Sequence, residues 1–182
     1  VSVGTVEPRK NVGLLLDAFD RLWAAGEDAR LVLVGREGWD VEALVDRMRS
    51  HPELGRRLVW AGWMPDAEVD WLYRHAAAVA VPSRCEGYGL PVVEGLRRGA
   101  AVISSTGGAL PEAGGDAVTY AEPDDVDAWV EALRAHLRGV ALPASGPRPP
   151  AVTATWADAA RTIAGHLATL AAAPVRAEGR AP

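Results

Sequence analysis

Two carboxylates, Glu86 and Glu94, frame a stretch of seven residues that holds Gly87, Gly89 and Pro91. Gly87 and Gly89 would let a ligand come close to the backbone. Pro91 suits the first turn of a helix, where its missing N–H is one of the groups the helix leaves unpaired. The amides near residues 88–90, together with the helix dipole, would then form an anion site suited to phosphate. A carboxylate beside bound phosphate repels it, so the expected task of each acid is to accept hydrogen bonds from hydroxyl groups. Two sets of hydroxyls on either side of one anion is the layout of a nucleotide sugar, with its ribose, diphosphate and hexose in series. Spacing alone leaves open a solvated Glu94 on a helix face and a Glu86 in an ordinary turn. The segment Glu7-Pro8-Arg9-Lys10-Asn11 tips the balance. It places two cations after a strand, at the start of a helix, where the dipole disfavours them unless they serve something else, such as a diphosphate.

These residues need a scaffold, and the chain supplies a regular one. Strand-like runs at residues 1–4, 30–35, 57–62, 77–83, 100–104 and 117–120 alternate with helical segments at 11–23, 39–50, 65–76, 89–98 and 124–137. In 11–23, Val12, Leu15, Leu16, Phe19, Leu22 and Trp23 share one helical face. The run Arg30–Gly35 is apolar enough for a strand covered on both sides. Such alternation predicts right-handed β–α–β units and an α/β, doubly wound, Rossmann-like parallel sheet. In that architecture ligands bind beyond the carboxyl ends of the strands. The loops "GTVEPRKN", "GREGW", "PSRCEGYGLP" and "SSTGGALPE" all fall there. Residues 1–138 are expected to form this domain, 139–151 a Pro/Gly/Ala-rich linker, 152–170 a last helix and 171–182 a disordered tail. The opening "VSVG" reads as a strand entered midway, so a piece of a longer protein is expected.

Composition narrows the class. The 182 residues are 49% hydrophobic and 24% charged, which suits a globular domain. A net charge of −5 without a dense basic block argues against a nucleic-acid partner. The lone Cys85 excludes an internal disulfide and suits a reducing compartment. No apolar run approaches the roughly 20 residues of a membrane span. A cytoplasmic location is expected, with peripheral contact to the inner face of a membrane left open. No Gly-x-Gly-x-x-Gly follows a strand, which argues against a dinucleotide oxidoreductase. Asp125-Val126-Asp127 imitates a metal motif but opens a helix, where capping is the better reading. The four histidines show no ligand spacing with one another or with Cys85, and the acid beside Cys85 opposes its thiolate. No metal or cofactor is expected.

The quoted loops, with "LVLVG", "AGWMPDAEVDWLYRHA", "VPSRCEGYGLPVVEGLRRGAAVISSTGGALPE" and "AEPDDVDAWVEAL", resemble in order and spacing the C-terminal domain of retaining GT-B glycosyltransferases with the Glu–seven residues–Glu signature. The resemblance covers residues 1 to about 170. It implies one half of a GT-B fold that binds a nucleotide-sugar donor, with a separate N-terminal domain holding the acceptor. By resemblance, Glu86 takes hydroxyls of the donor sugar, Glu94 takes the ribose, and Lys10 and Arg9 hold the diphosphate. The amides of Tyr88, Gly89 and Leu90 contact sugar and phosphate, and the loop at Trp63 and Met64 lies near the nucleobase. Many relatives carry an arginine where this chain has Thr5, so Arg9 and Lys10 must supply more of the charge. The forms "GTVEPRKN" and "GREGW" are similar to bacterial polysaccharide mannosyltransferases. A GDP-mannose or UDP-glucose type of donor follows, with a saccharide or lipid-linked acceptor. The final helix is expected to cross back onto the other domain. A non-catalytic nucleotide-binding module, or a GT-B-type epimerase or phosphorylase, stays as the alternative.

Overall fold

The computed structural model describes residues 1–139 and 156–172. Strands β1 (Ser2–Val3), β2 (Leu31–Val34) and β3 (Leu58–Gly62) form one parallel triplet, and β4 (Val79–Val81), β5 (Val102–Ser104) and β6 (Thr119–Tyr120) form a second. Ala80 N–H donates to the Val1 carbonyl at 2.8 Å, which sets β1 beside β4. The order across the molecule is therefore β3-β2-β1-β4-β5-β6, the doubly wound Rossmann arrangement, and the winding reverses between β1 and β4.

Side-chain alternation along the strands builds a core on each face. Ala80 and Ile103 face a layer formed by α1 (Val12–Ala24) and α6 (Val126–Leu137), where Leu15, Leu16 and Leu22 share a cluster with Trp129 and Leu133. The six apolar residues expected on one face of α1 are all buried there. On the other face Val79, Val81 and Val102 pack with Tyr73 of α3 (Asp66–His75) and Val92 of α4 (Leu90–Arg97). Each fully buried leucine or valine contributes roughly 1.5–3 kcal/mol, so the central strands β4 and β5 are held from two sides. Helix α2 (Glu42–Arg49) buries Val45 and Met48.

The structure departs from the pattern in one element and several ends. The turn expected between 105 and 116 contains α5 (Leu110–Gly114), which runs into a 3-10 turn at Gly115–Ala117. Helix α2 starts at Glu42 because Asp40 adopts a left-handed backbone (φ 52). Helix α7 (Trp156–Ala172) forms a separate unit; Ile163 and Leu167 lie one turn apart on it and are exposed. The expected linker from residue 140, residues 152–155 of the expected last helix and the tail beyond 172 lie outside the described residues. Among the described residues, no helix is long and apolar enough to cross a membrane.

Candidate active site

The reversal between β1 and β4 brings two loops together. After β1 the chain passes through a 3-10 turn, Pro8–Lys10, closed by Asn11 in left-handed backbone (φ 53). Arg9 and Lys10 therefore occupy the last turn of their own short helix, where the dipole favours cations, and not the first turn of α1. Asn11 is the least strained side-chain-bearing residue type for that backbone. Its amide donates to the carbonyls of Pro82 (3.2 Å) and Pro123 (2.7 Å), tying the loops after β1, β4 and β6 together.

Glu86, on the β4 loop, lies inside this junction and is only 8% exposed. Lys10 Nζ stands 2.5 Å from its Oε1 and Arg9 Nη1 2.8 Å from its Oε2. The Ser83 hydroxyl also donates to Oε1 at 2.8 Å. Burial pushes this carboxyl up, but the hydrogen bonds from Lys10 and Ser83, with the charge of Lys10, outweigh it and hold the pKa below the ordinary range. Arg9 is pulled outward too: it pairs with Glu7 at 2.7 Å and reaches the Cys85 carbonyl at 3.2 Å. Its side chain stays 47% exposed, whereas that of Lys10 is 14% exposed.

A second layer holds the Glu86 loop. Ser105 donates to the Ser83 carbonyl, and Ala109 N–H donates to the Glu86 carbonyl at 2.9 Å. Gly108 (φ 61) lies so close that a Cβ there would fall 2.5 Å from the Glu86 oxygen, and one at Gly107 would fall 2.3 Å from the Arg84 oxygen. The loop "SSTGGALPE" is thus the bed on which the Glu86 loop rests. Its glycine pair was the visible signal, but the partner loop was not. Gly87, by contrast, has open space on its Cβ side.

Helix α4 opens directly beyond, with Gly89 (φ 78) as its N-cap and no side chain capping it. Among the described residues, the N–H groups of Tyr88, Gly89 and Leu90 donate to no protein acceptor. Tyr88 and Leu90 are exposed. Glu94, one turn into α4, is half-buried and accepts a hydrogen bond from the Tyr73 hydroxyl at 3.0 Å.

Thr5, Trp63 and Met64 meet in a cleft of about 400 Å³ at the ends of β1, β2 and β3. Its floor is made by Gly4, Gly35 and Gly62, the last residues of their strands or the first beyond them. A Cβ at Gly35 would fall 1.8 Å from the Gly4 oxygen, so only glycine lets these strand ends approach. The Lys10 side chain lies over Gly4, which joins this cleft to the charged junction. Arg36, from the quoted loop "GREGW", is the one charged residue lining the cleft, though that loop alone gave it no role. Trp63 is 64% exposed and offers an indole face. Asp125 caps α6 by accepting from Ala128 N–H at 2.9 Å, and Asp127 pairs with Arg21. Cys85 is exposed and unpaired by disulfide.

The family model "Glycosyl transferases group 1" matches residues 1–143. The serotype-specific mannosyltransferase WbdA of Escherichia coli is 39% identical over 103 residues, covering 57% of this chain and 13% of its own length. The O-antigen chain mannosyltransferase B of Escherichia coli is 38% identical over 130 residues, covering 69% of this chain and 33% of its own. The chain thus spans only 13% to 33% of these curated relatives. In fold, it is similar to Anabaena HepE solved with UDP, with a TM-score of 0.70 at 19% identity over 92% of this chain and 48% of that one. It also resembles the C-terminal domain of the Francisella tularensis group 1 glycosyl transferase LpcC, with a TM-score of 0.65 at 20% identity over 79% and 80% of the two chains. With its family matched across most of its length and a Rossmann-like sheet consistent with one half of a GT-B fold, the chain belongs to the group 1 glycosyl transferases.

Proposed function

We propose that this domain is the donor-binding half of a retaining glycosyltransferase that moves a hexose from a nucleotide-diphosphate sugar to a saccharide or lipid-linked acceptor. The observation that carries the reading is the junction of Lys10, Arg9 and Glu86 at the reversal point of the sheet, beside unpaired amides at residues 88–90. Cations, free N–H groups and the carboxylates of Glu86 and Glu94, carried on these loops and the start of α4, suit a diphosphate with a sugar at each end. The likeness to WbdA and to O-antigen chain mannosyltransferase B favours mannose as the hexose. The acceptor site belongs, on this reading, to a separate N-terminal domain.

In the reaction the bond between the anomeric carbon and the phosphate oxygen breaks, and its electron pair leaves with the diphosphate. Lys10, Arg9 and the amides of Tyr88, Gly89 and Leu90 neutralise that charge; one well-placed donor of this kind lowers a barrier by about 3 kcal/mol. The acceptor oxygen forms the new bond on the face the diphosphate leaves, and its proton passes to a departing phosphate oxygen, which retains the configuration. Glu86 accepts hydroxyls of the hexose and orients the ring without attacking it. Glu94 takes the ribose hydroxyls. Thr5, Trp63 and Met64 line the base side, and Arg36 adds a cation there.

Calorimetric titration of the chain with GDP, UDP, GDP-mannose and UDP-glucose tests the reading, with Lys10→Ala and Glu94→Ala run beside the native sequence. Binding of one nucleotide series, weakened about tenfold or more by each substitution, is the expected result. Binding that neither substitution weakens sinks the assignment of the site.

A further inference from the structure

Tyr73 is the largest polar side chain on α3 that is wholly buried, and its hydroxyl has one partner, Glu94 Oε2 at 3.0 Å. It shares a core cluster with Val79, Val81, Val92 and Leu110. The Arg98 guanidinium lies over the ring, 5.1 Å from its centre, and donates to the Glu94 backbone carbonyl at 3.1 Å. Asp70, one turn before Tyr73, holds Arg98 in turn through Nε at 2.6 Å. The side chain of Glu94 is therefore held from α3, and its backbone carbonyl by Arg98 at the end of α4, which Asp70 of α3 braces. Burial, then the charge of Glu94 and the bond to it, raise the Tyr73 pKa, so its proton stays in place as a donor.

A carboxylate on a helix surface ordinarily samples several rotamers, and binding a ligand must freeze them. Here one oxygen is already held. We propose that Tyr73 is a positioning residue for Glu94: by holding Oε2 it presets the carboxylate plane so that Glu94 accepts both hydroxyls of a vicinal diol, the 2′,3′-diol of a ribonucleotide. This inference rests on the donor-site reading above. Arg98 and Asp70 brace the tyrosine ring and act on the ligand only through it. The same four residues on a purely structural brace would contribute to stability and leave ligand discrimination alone.

The test compares GDP and UDP with their 2′,3′-dideoxy counterparts by titration of the native chain, Tyr73→Phe and Arg98→Met. The native chain is expected to prefer the ribonucleotide. Tyr73→Phe is expected to weaken the ribonucleotide roughly three- to tenfold, the loss from freezing one rotamer-rich side chain, and to leave the dideoxy compound within about twofold. Arg98→Met is expected to shift the ratio the same way and covers the case in which Tyr73→Phe does not fold. Equal weakening of both ligands, or no change in either, overturns the role of Tyr73. A native chain that binds both compounds equally overturns it as well. A native chain that binds no nucleotide is the separate failure of the donor-site reading, and the inference falls with it.

Discussion

Lys10 Nζ lies 2.5 Å from Glu86 Oε1, so a cation from the loop after β1 and an anion from the loop after β4 neutralise each other where the winding of the sheet reverses. Neither charge faces water freely in the domain as it stands. On the proposed reading a diphosphate shares Lys10 with Glu86, and Arg9, the more exposed of the two cations, turns toward it. The pair is thus both a structural lock and the preset geometry of the proposed reaction.

Glu86→Gln is expected to cost about 2 kcal/mol at pH 7, because Lys10 loses its buried counter-charge. The pKa of Glu86 is depressed in the folded state, so its contribution is fully present above the ordinary carboxylate range and is lost as pH falls through the folded value. Denaturant unfolding at pH 7 and pH 3 should show the gap between native and Glu86→Gln closing in acid. A gap that is constant or widens would contradict the ion-pair account.

Gly108→Ala places a Cβ 2.5 Å from the Glu86 oxygen on a left-handed backbone, and is expected to destabilise the domain by roughly 1–3 kcal/mol. Gly87→Ala meets open space and is expected to leave the melting temperature unchanged. If ligand lies against the Gly87 backbone, the same substitution should still weaken nucleotide-sugar binding. Thermal melts and titrations of the two variants separate support of the loop from contact with the ligand.

Asn11→Ala removes both bonds to Pro82 and Pro123 and takes from the left-handed backbone the polar side chain that makes it tolerable, for an expected loss of about 2–4 kcal/mol. Asn11→Gly keeps the backbone at ease and should lose about half as much. Equal losses in the two variants, measured by urea unfolding, would mean the backbone conformation carries nothing.

Arg36→Met keeps the aliphatic stem in the cleft and removes its one charge. Nucleotide affinity is expected to fall about tenfold, and the dependence of binding on salt should flatten, since an exposed cation acts through a screened field. Unchanged affinity with unchanged salt dependence would take Arg36 out of the site.

The alternation of strands and helices was legible because buried parallel strands and one-faced helices write strong periods into the chain, as in Leu31–Val34 and the face of α1. Helix α5 was not, since five residues are too short to show a period and its proline and glycines read as a turn. Arg9, Lys10 and Glu86 could be named from their loops, but not that they would pair, because nothing in a sequence states which loops the topology will join. The supports were illegible for the same reason. Tyr73 reads as one more core aromatic, Asn11 as a helix start and Gly108 as a turn, until their partners 21, 71 and 22 positions away come into contact.

Two backbone hydrogen bonds, from Ala80 N–H to the Val1 carbonyl and from the Val1 amino group to the Ala78 carbonyl, join the β1 and β4 segments, whereas β2 and β3 share a longer ladder. Mechanically this is a thinly bonded seam of the sheet, with α1 and α6 packed across one face. A ligand gripped by Lys10 on one side and by the start of α4 on the other would act as a rivet across it. The Ala80 amide is then a built-in strain gauge: its hydrogen exchange reports opening of this line apart from global unfolding, and should slow when the junction is filled.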